Sequence, residues 1–186
     1  MAAAIKPMTR AARLTGVAHT VRCAPGDYLT LLKALAEARE GEVLVVDGGG
    51  VVEAALLGKL VAVEARRKGV RGFVVDGAVR DLVGLGDEGI PVFARAGTSR
   101  IGTAEHLLET QVPIICGGAS VQPGDIVCGD EDGVVVVPGK RVAEVVSRAL
   151  EIRRHEAEAE RRLRRGQPLA ELMRLFDRLV ELRKRG

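Results

Sequence analysis

Arg80 and Asp81 stand side by side shortly after an apolar run, Phe73-Val74-Val75. The run reads as a buried strand, Gly72 to Asp76, that turns at Gly77, so the pair falls just past the strand's carboxyl end. That is where open α/β sheets bind ligands. Arginine offers a planar fork to a carboxylate. Aspartate offers a hard oxygen to a divalent cation. Together they could hold an α-keto acid, with Arg80 on its carboxylate and a metal on Asp81 touching the keto oxygen. An Arg-Asp pair after a strand also serves as an ordinary surface ion pair, so its context decides between the two.

A second candidate lies upstream. Val51 to Lys68 is helical by pattern, with Gly58 in its middle. An interior glycine costs a helix about 1 kcal/mol relative to alanine. Gly58 therefore either marks a break, with a fresh helix starting at Lys59, or is tolerated for close packing. In the first case the N–H groups of Lys59, Leu60 and Val61 point outward and could hold an anion. Gly48-Gly49-Gly50 allows close backbone approach, but the spacing is not that of a dinucleotide fingerprint. Gly58-Lys59 is followed by Leu60, so there is no phosphate-binding P-loop. Gly97-Thr98-Ser99-Arg100 is a small polar loop that lines a pocket or simply connects. His19 sits in a strand pattern without an evident partner.

The elements that must position these residues alternate strand and helix. Residues 1 to 15 read as a poorly ordered arm or edge. Gly16 to Cys23 is a strand, Asp27 a helix N-cap, and Tyr28 to Arg39 a helix with a leucine stripe. Val43 to Asp47 is a continuous apolar run, typical of a strand covered on both faces. Asp81 to Glu88 is a short helix and Ile90 to Ala94 a strand. Val112 to Cys116, Asp125 to Cys128 and Gly133 to Pro138 are further β-segments. The acidic Asp130-Glu131-Asp132 between the last two reads as a turn, since the calcium-loop spacing is absent. Arg141 to Arg165 is a long charged helix, broken at Gly166-Gln167-Pro168. Leu169 to Lys184 is an amphipathic helix carrying Leu172, Leu175, Phe176, Leu179 and Leu182. The pattern predicts an α/β core over 1–140 with an added antiparallel portion, and a helical extension over 141–186.

Composition narrows the function classes. Hydrophobic residues make up 47% of the 186, enough for a core, and aromatics only 2%. The net charge of +3 comes from intermixed charges of both signs, which argues against a nucleic-acid surface. One Tyr, three Phe and no Trp leave little to stack bases on. Three widely spaced cysteines without a C-x-x-C fit neither a disulfide framework nor a zinc knuckle. With no signal-like or membrane-length apolar stretch, the expectation is a cytoplasmic protein without a membrane span.

Four segments carry a family resemblance: Gly-Glu-Val-Leu-Val-Val-Asp-Gly-Gly-Gly at 41–50, Ala-Leu-Leu-Gly at 55–58, Val-Val-Asp-Gly-Ala-Val-Arg-Asp at 74–81 and Gly-Asp-Glu-Asp-Gly-Val-Val-Val-Val-Pro at 129–138. They resemble the RraA-like family, over roughly residues 12 to 165. That family includes the regulator of ribonuclease E activity and metal-dependent 4-hydroxy-4-methyl-2-oxoglutarate aldolases, and its members have also carried a menaquinone-methyltransferase label. The resemblance implies a swivelling β/β/α-type α/β fold, assembled as homotrimers or hexamers with the site near a subunit interface. It implies Arg80 on the pyruvate carboxylate, Asp81 on Mg²⁺ or Mn²⁺, and Gly58, Lys59, Leu60 and Val61 as the backbone segment that holds substrate. Oxaloacetate decarboxylation is implied alongside retro-aldol cleavage. The aldolase signature places an aspartate where this chain has Lys59, which cannot accept a proton while charged. Lysine there favours a regulator that binds a ribonuclease. It also admits Schiff-base chemistry, which needs a buried lysine or a neighbouring cation. A glutamate from a neighbouring subunit's C-terminal region is implied too, and Glu156 or Glu158 could fill that place.

Overall fold

The first of two units, Met1–Lys140, is built on one mixed sheet. The computed structural model of the chain describes residues 1–10 and 12–174. In chain order the elements of this unit are β1 (Lys6–Pro7), β2 (Leu14–Arg22), α1 (Leu29–Glu37), β3 (Glu42–Asp47), β4 (Ala55–Leu57), α2 (Lys59–Arg67), β5 (Gly72–Val79), α3 (Leu82–Asp87), β6 (Val92–Gly97), β7 (Ile114–Cys116), β8 (Ala119–Val121), β9 (Ile126–Asp130) and β10 (Gly133–Val137). The sheet runs β1-β6-β5-β3-β2-β9-β10, with β4 also on β5, and β7 and β8 form a separate hairpin. Strands β2, β3, β5 and β6 are parallel neighbours, while β1, β9 and β10 join antiparallel. The Met1 ammonium donates to the Val134 carbonyl at 2.9 Å, so the two ends of the strand order approach and the sheet nearly closes.

The two faces of the sheet explain its sequence. Side chains alternate across a strand. Leu44 and Val46 of β3, with Phe73 and Val75 of β5, meet Leu31, Leu35, Ala62, Ala65 and Leu85 from the three helices. Val43, Val45, Val74 and Phe93 point to the other side, into a second cluster with Leu14, Val127 and the hairpin residues Ile114, Cys116 and Val121. Both faces are buried, and that is why Val43-Leu44-Val45-Val46 is apolar throughout, as the sequence predicts.

Several expectations need correction. The 1–15 segment does supply an edge strand, β1, but it is no loose arm: Ile5, Ala12 and Leu14 are buried. The stretch before Gly58 is not helical. Ala55-Leu56-Leu57 is a buried strand on β5, and a short apolar run does not distinguish helix from strand by period alone. Nor does the chain turn at Gly77. Strand β5 continues to Val79, with its register on β6 slipping between Val75 and Ala78. There the Asp76 carbonyl accepts the N–H groups of Gly48 and Gly50. Its carboxylate pairs with Arg95 and accepts the Gly117 N–H at 2.7 Å. Buried His19 does have partners: Nδ1 lies 2.9 Å from Glu42 and 3.2 Å from Gln111 Nε2.

The second unit, Arg141–Gly186, holds α4 (Val142–Arg164) and the short α5 (Leu169–Leu172). Neither contains a buried residue among those described. Along α4, Arg148–Glu151, Arg161–Glu158 and Arg164–Glu160 pair at helical spacing. Such exposed pairs contribute little singly but keep a helix solvated. The rest of the expected helix to Lys184, including Leu175, Phe176, Leu179 and Leu182, lies outside the described residues. No described helix is long and apolar enough to cross a membrane.

Candidate functional site

The end of β5 holds the Arg-Asp pair against the start of α2. The Arg80 N–H donates to the Leu57 carbonyl at 2.9 Å, which fastens the turn to β4. Asp81 then adopts a left-handed conformation, φ 57° and ψ 43°. Aspartate enters that region more readily than most residues. The turn aims its carboxylate back at α2, where the Lys59 N–H donates to Oδ2 at 3.1 Å. A carboxylate at a helix N-terminus gains from the free N–H groups and the helix dipole. Arg80 Nε is 3.6 Å from the same oxygen, with the two side chains 36% and 42% exposed. An ion pair that long and that wet is worth little, so Arg80 can exchange it for another anion.

Gly58 makes this meeting possible. A Cβ there would stand 2.5 Å from Asp81 Oδ2 and 2.9 Å from Arg80 Cγ. The break at Gly58 and the fresh helix from Lys59 are both present. Three outward N–H groups are not: Lys59 donates to Asp81, and Val61 donates to the Gly58 carbonyl at 3.1 Å. Among the described residues, only the Leu60 N–H of the three has no acceptor.

Gly58, Leu60, Val61 and Arg80 line one cavity of about 180 Å³. Tyr28, Leu32, Leu57 and Ile101 also line it. Sequence reading did not reach Tyr28 or Ile101, and the signal was Asp27, read there only as a helix cap. Its Oδ1 does accept the Leu29 N–H at 3.0 Å. Its Oδ2 accepts the Thr103 hydroxyl and the N–H groups of Glu105 and His106. With Tyr28 N–H donating to the Thr103 carbonyl, this one carboxylate fixes the wall that carries both residues. The polar loop before it contributes as well, since Ala55 N–H donates to the Arg100 carbonyl.

Burial by itself would push the Asp27 carboxyl up, but the hydrogen bonds from Glu105, Leu29, Thr103 and His106 win and hold it well below the usual carboxylate range. A depressed folded pKa stabilises above the unfolded value of about 3.9 and fades as pH falls below it. Asp27→Ala is expected to cost roughly 3 kcal/mol or more, because several buried donors lose their acceptor. Urea denaturation at neutral pH reads that loss, and the gap between wild type and variant should narrow below about pH 4.

Lys59 and Asp81 stand outside the cavity lining. A Cβ on Gly84 would meet Lys59 Cδ at 2.9 Å, so the lysine stem lies along α3. Lys59 is exposed, which removes the burial that Schiff-base chemistry asks for. Glu156 is exposed on α4, and Glu158 pairs with Arg161. Among the described residues no three His, Cys, Asp or Glu side chains converge as a metal cage. Asp81 Oδ1 has no protein partner among them. One free carboxylate oxygen fits a hard cation that keeps most of its water, as Mg²⁺ does, and does not fit zinc. A larger concavity of about 1320 Å³ lies at the amino ends of β2, β5 and β6, lined by Arg13, Arg66, Arg71, Glu88 and Asp130. Its charges are of mixed sign, and it is at the wrong end of the strands for a ligand site of this fold class.

The Aldolase/RraA family model of the RraA-like type matches residues 1–136. A Halalkalibacterium halodurans protein named "Putative 4-hydroxy-4-methyl-2-oxoglutarate aldolase" is 39% identical over 145 residues, 78% of this chain and 69% of that protein. The solved structure of the RNA-processing inhibitor RraA from Thermus thermophilis superposes with a TM-score of 0.69 at 38% identity, covering 74% of this chain and 84% of that one. An unusual member of the RNase ES inhibitor RraA protein family from Streptomyces coelicolor superposes at 0.78 with 31% identity, covering 85% of this chain and 82% of that one. With a family model matching residues 1–136, and with relatives of this identity, the chain belongs to the RraA-like family.

Proposed function

We propose that the protein is a carbon–carbon lyase acting on small 2-oxo acids. The observation that carries this is one cavity lined by Arg80 and by Leu60, whose N–H is unengaged, with the Asp81 carboxylate beside it. Arg80 takes the substrate carboxylate with its fork, and the Leu60 N–H gives a second donor. Asp81, through Oδ1, would hold Mg²⁺ or Mn²⁺, which supplies Lewis acidity at the keto oxygen. In a 4-hydroxy-2-oxo acid the hydroxyl proton leaves to water, the C3–C4 bond breaks and a carbonyl forms at C4. The electron pair ends on C3, where a proton from water completes pyruvate. Oxaloacetate would lose carbon dioxide by the same electron flow. Lys59 leaves this chain without the carboxylate that aldolases of the family place there, so the hydroxyl proton goes directly to water. The reading includes trimers or hexamers with Glu156 supplied by a neighbouring copy, which sedimentation and the kinetics of Glu156→Gln address.

Pyruvate release from oxaloacetate and from 4-hydroxy-4-methyl-2-oxoglutarate tests the proposal. Turnover with Mg²⁺ or Mn²⁺ that EDTA removes is expected. No turnover of either compound at saturating metal sinks the lyase reading.

A second reading is a regulator that binds a ribonuclease. It draws on the RraA relatives, on Lys59, and on Leu60 and Val83 beside the site, each 81% exposed. Exposed apolar side chains of that kind mark binding surfaces. Ribonuclease activity unchanged by an excess of the protein would count against it.

A further inference from the structure

We propose that α4 is a nucleic-acid arm, whose arginine face takes the phosphate backbone of RNA or DNA without reading base sequence. This goes beyond the lyase reading and does not depend on it. The first support is a segregation of charge between the two units. The chain's +3 conceals opposite signs: Met1–Lys140 has 15 Lys and Arg against 17 Asp and Glu, and Arg141–Gly186 has 13 against 8. The second is a segregation around the helix. Charges of both signs alternate along α4, but at about 100° per residue Arg153, Arg154, Arg161, Arg164 and Arg165 share an arc of about 120°. No glutamate of α4 falls inside that arc. A basic stripe along one helix face is the electrostatic footprint of a nucleic-acid surface. The third is availability. Arg153, Arg154 and Arg165 have no ion pair among the described residues. Arg161 and Arg164 pair with Glu158 and Glu160, but these four side chains are 54% to 77% exposed, and pairs so wet exchange readily for phosphate. Each guanidinium offers a planar fork that suits a phosphate. Arg154 and Arg165 stand about 16 Å apart along the axis, against one duplex charge per about 1.7 Å, so the arginines reach separate phosphates. One Tyr, three Phe and no Trp leave the bases unstacked, which makes the contact one with backbone. The apolar stripe of Val145, Ala149, Ile152, Ala159 and Leu163 lies on another face with Glu156 inside it, a poor face for a membrane. A neighbouring copy that takes Glu156 would cover that stripe and leave the arginine face outward.

Fluorescence anisotropy of the full chain with labelled RNA and DNA duplexes, each in two unrelated sequences, tests the proposal. Duplexes of about 20 base pairs are expected to bind at about 50 mM salt, with log K falling against log salt at a slope of about −3 or steeper. The two sequences should bind within about 2-fold of each other, because phosphate contacts carry no sequence information. Arg154→Gln with Arg165→Gln is expected to weaken binding about 10-fold and to flatten the slope by about 2. Glu158→Gln with Glu160→Gln frees Arg161 and Arg164 and is expected to tighten binding several-fold. That second variant decides the matter if circular dichroism shows the first to have lost helix. No duplex binding at low salt, a slope near zero, or an affinity that neither variant moves overturns the proposal. Equal binding of poly-L-glutamate or of phosphatidylglycerol vesicles also overturns it, and assigns the face to an acidic protein or a membrane. Pyruvate release measured on the same samples keeps the two readings apart. Turnover without duplex binding defeats this proposal alone, and duplex binding without turnover defeats the lyase reading alone.

Discussion

Asp81→Asn is expected to lower metal-dependent kcat/KM for pyruvate release by about 10³-fold while leaving the fold intact. Asparagine keeps an acceptor for the Lys59 N–H and tolerates the left-handed backbone that position 81 requires. What it loses is the negative charge. In the proposed mechanism that charge would hold the cation, which would supply Lewis acidity, and preorganised electrostatic groups are worth about 10² to 10³ or more in rate. The variant separates two roles for one carboxylate, cap of α2 and holder of a cation. A thermal midpoint within a few degrees of wild type, with activity gone and no longer rescued by added Mn²⁺, is the expected pattern. Activity near wild type that still responds to EDTA would place the cation elsewhere.

Gly58→Ala should cost nearly as much, about 10²-fold in kcat/KM, although the added group is one methyl. The backbone at Gly58 is extended, φ −148° and ψ −163°, which alanine adopts without strain. The penalty is therefore the Cβ alone, which would sit 2.5 Å from Asp81 Oδ2 and 3.0 Å from Arg80 Nε. One of three elements must shift by several tenths of an ångström, and displacement near 1 Å can cost about 10²-fold in rate. Both head-binding groups move, so KM and kcat should change together. Steady-state kinetics of the purified variant read this directly, and unchanged constants would remove Gly58 as the spacer of the site.

The sequence by itself determined what depends on near neighbours. Val43 to Val46 announced a strand covered on both sides, because every position is apolar. Arg80-Asp81 announced a polar pair past the end of β5, whereas Gly58 left open whether a fresh helix starts at Lys59, as it does. Each is a local pattern, and local patterns carry backbone preference. Tertiary structure decided what long loops bring together. Whether Ala55 to Leu57 joins a sheet or a helix depended on β5 offering it an edge. The turn expected at Gly77 became a bulge because Gly48, Gly50, Arg95 and Gly117, all distant in sequence, claim the polar atoms of Asp76. The outward amides shrank from three to one because Asp81 folds back onto Lys59 and the Gly58 carbonyl accepts the Val61 N–H. The apolar lining from Tyr28 and Ile101 was invisible for the same reason: the two are brought together through an Asp27 network that spans more than seventy residues. A side chain's type gives its chemistry, but which neighbours it faces depends on the packing of segments that the sequence does not place side by side.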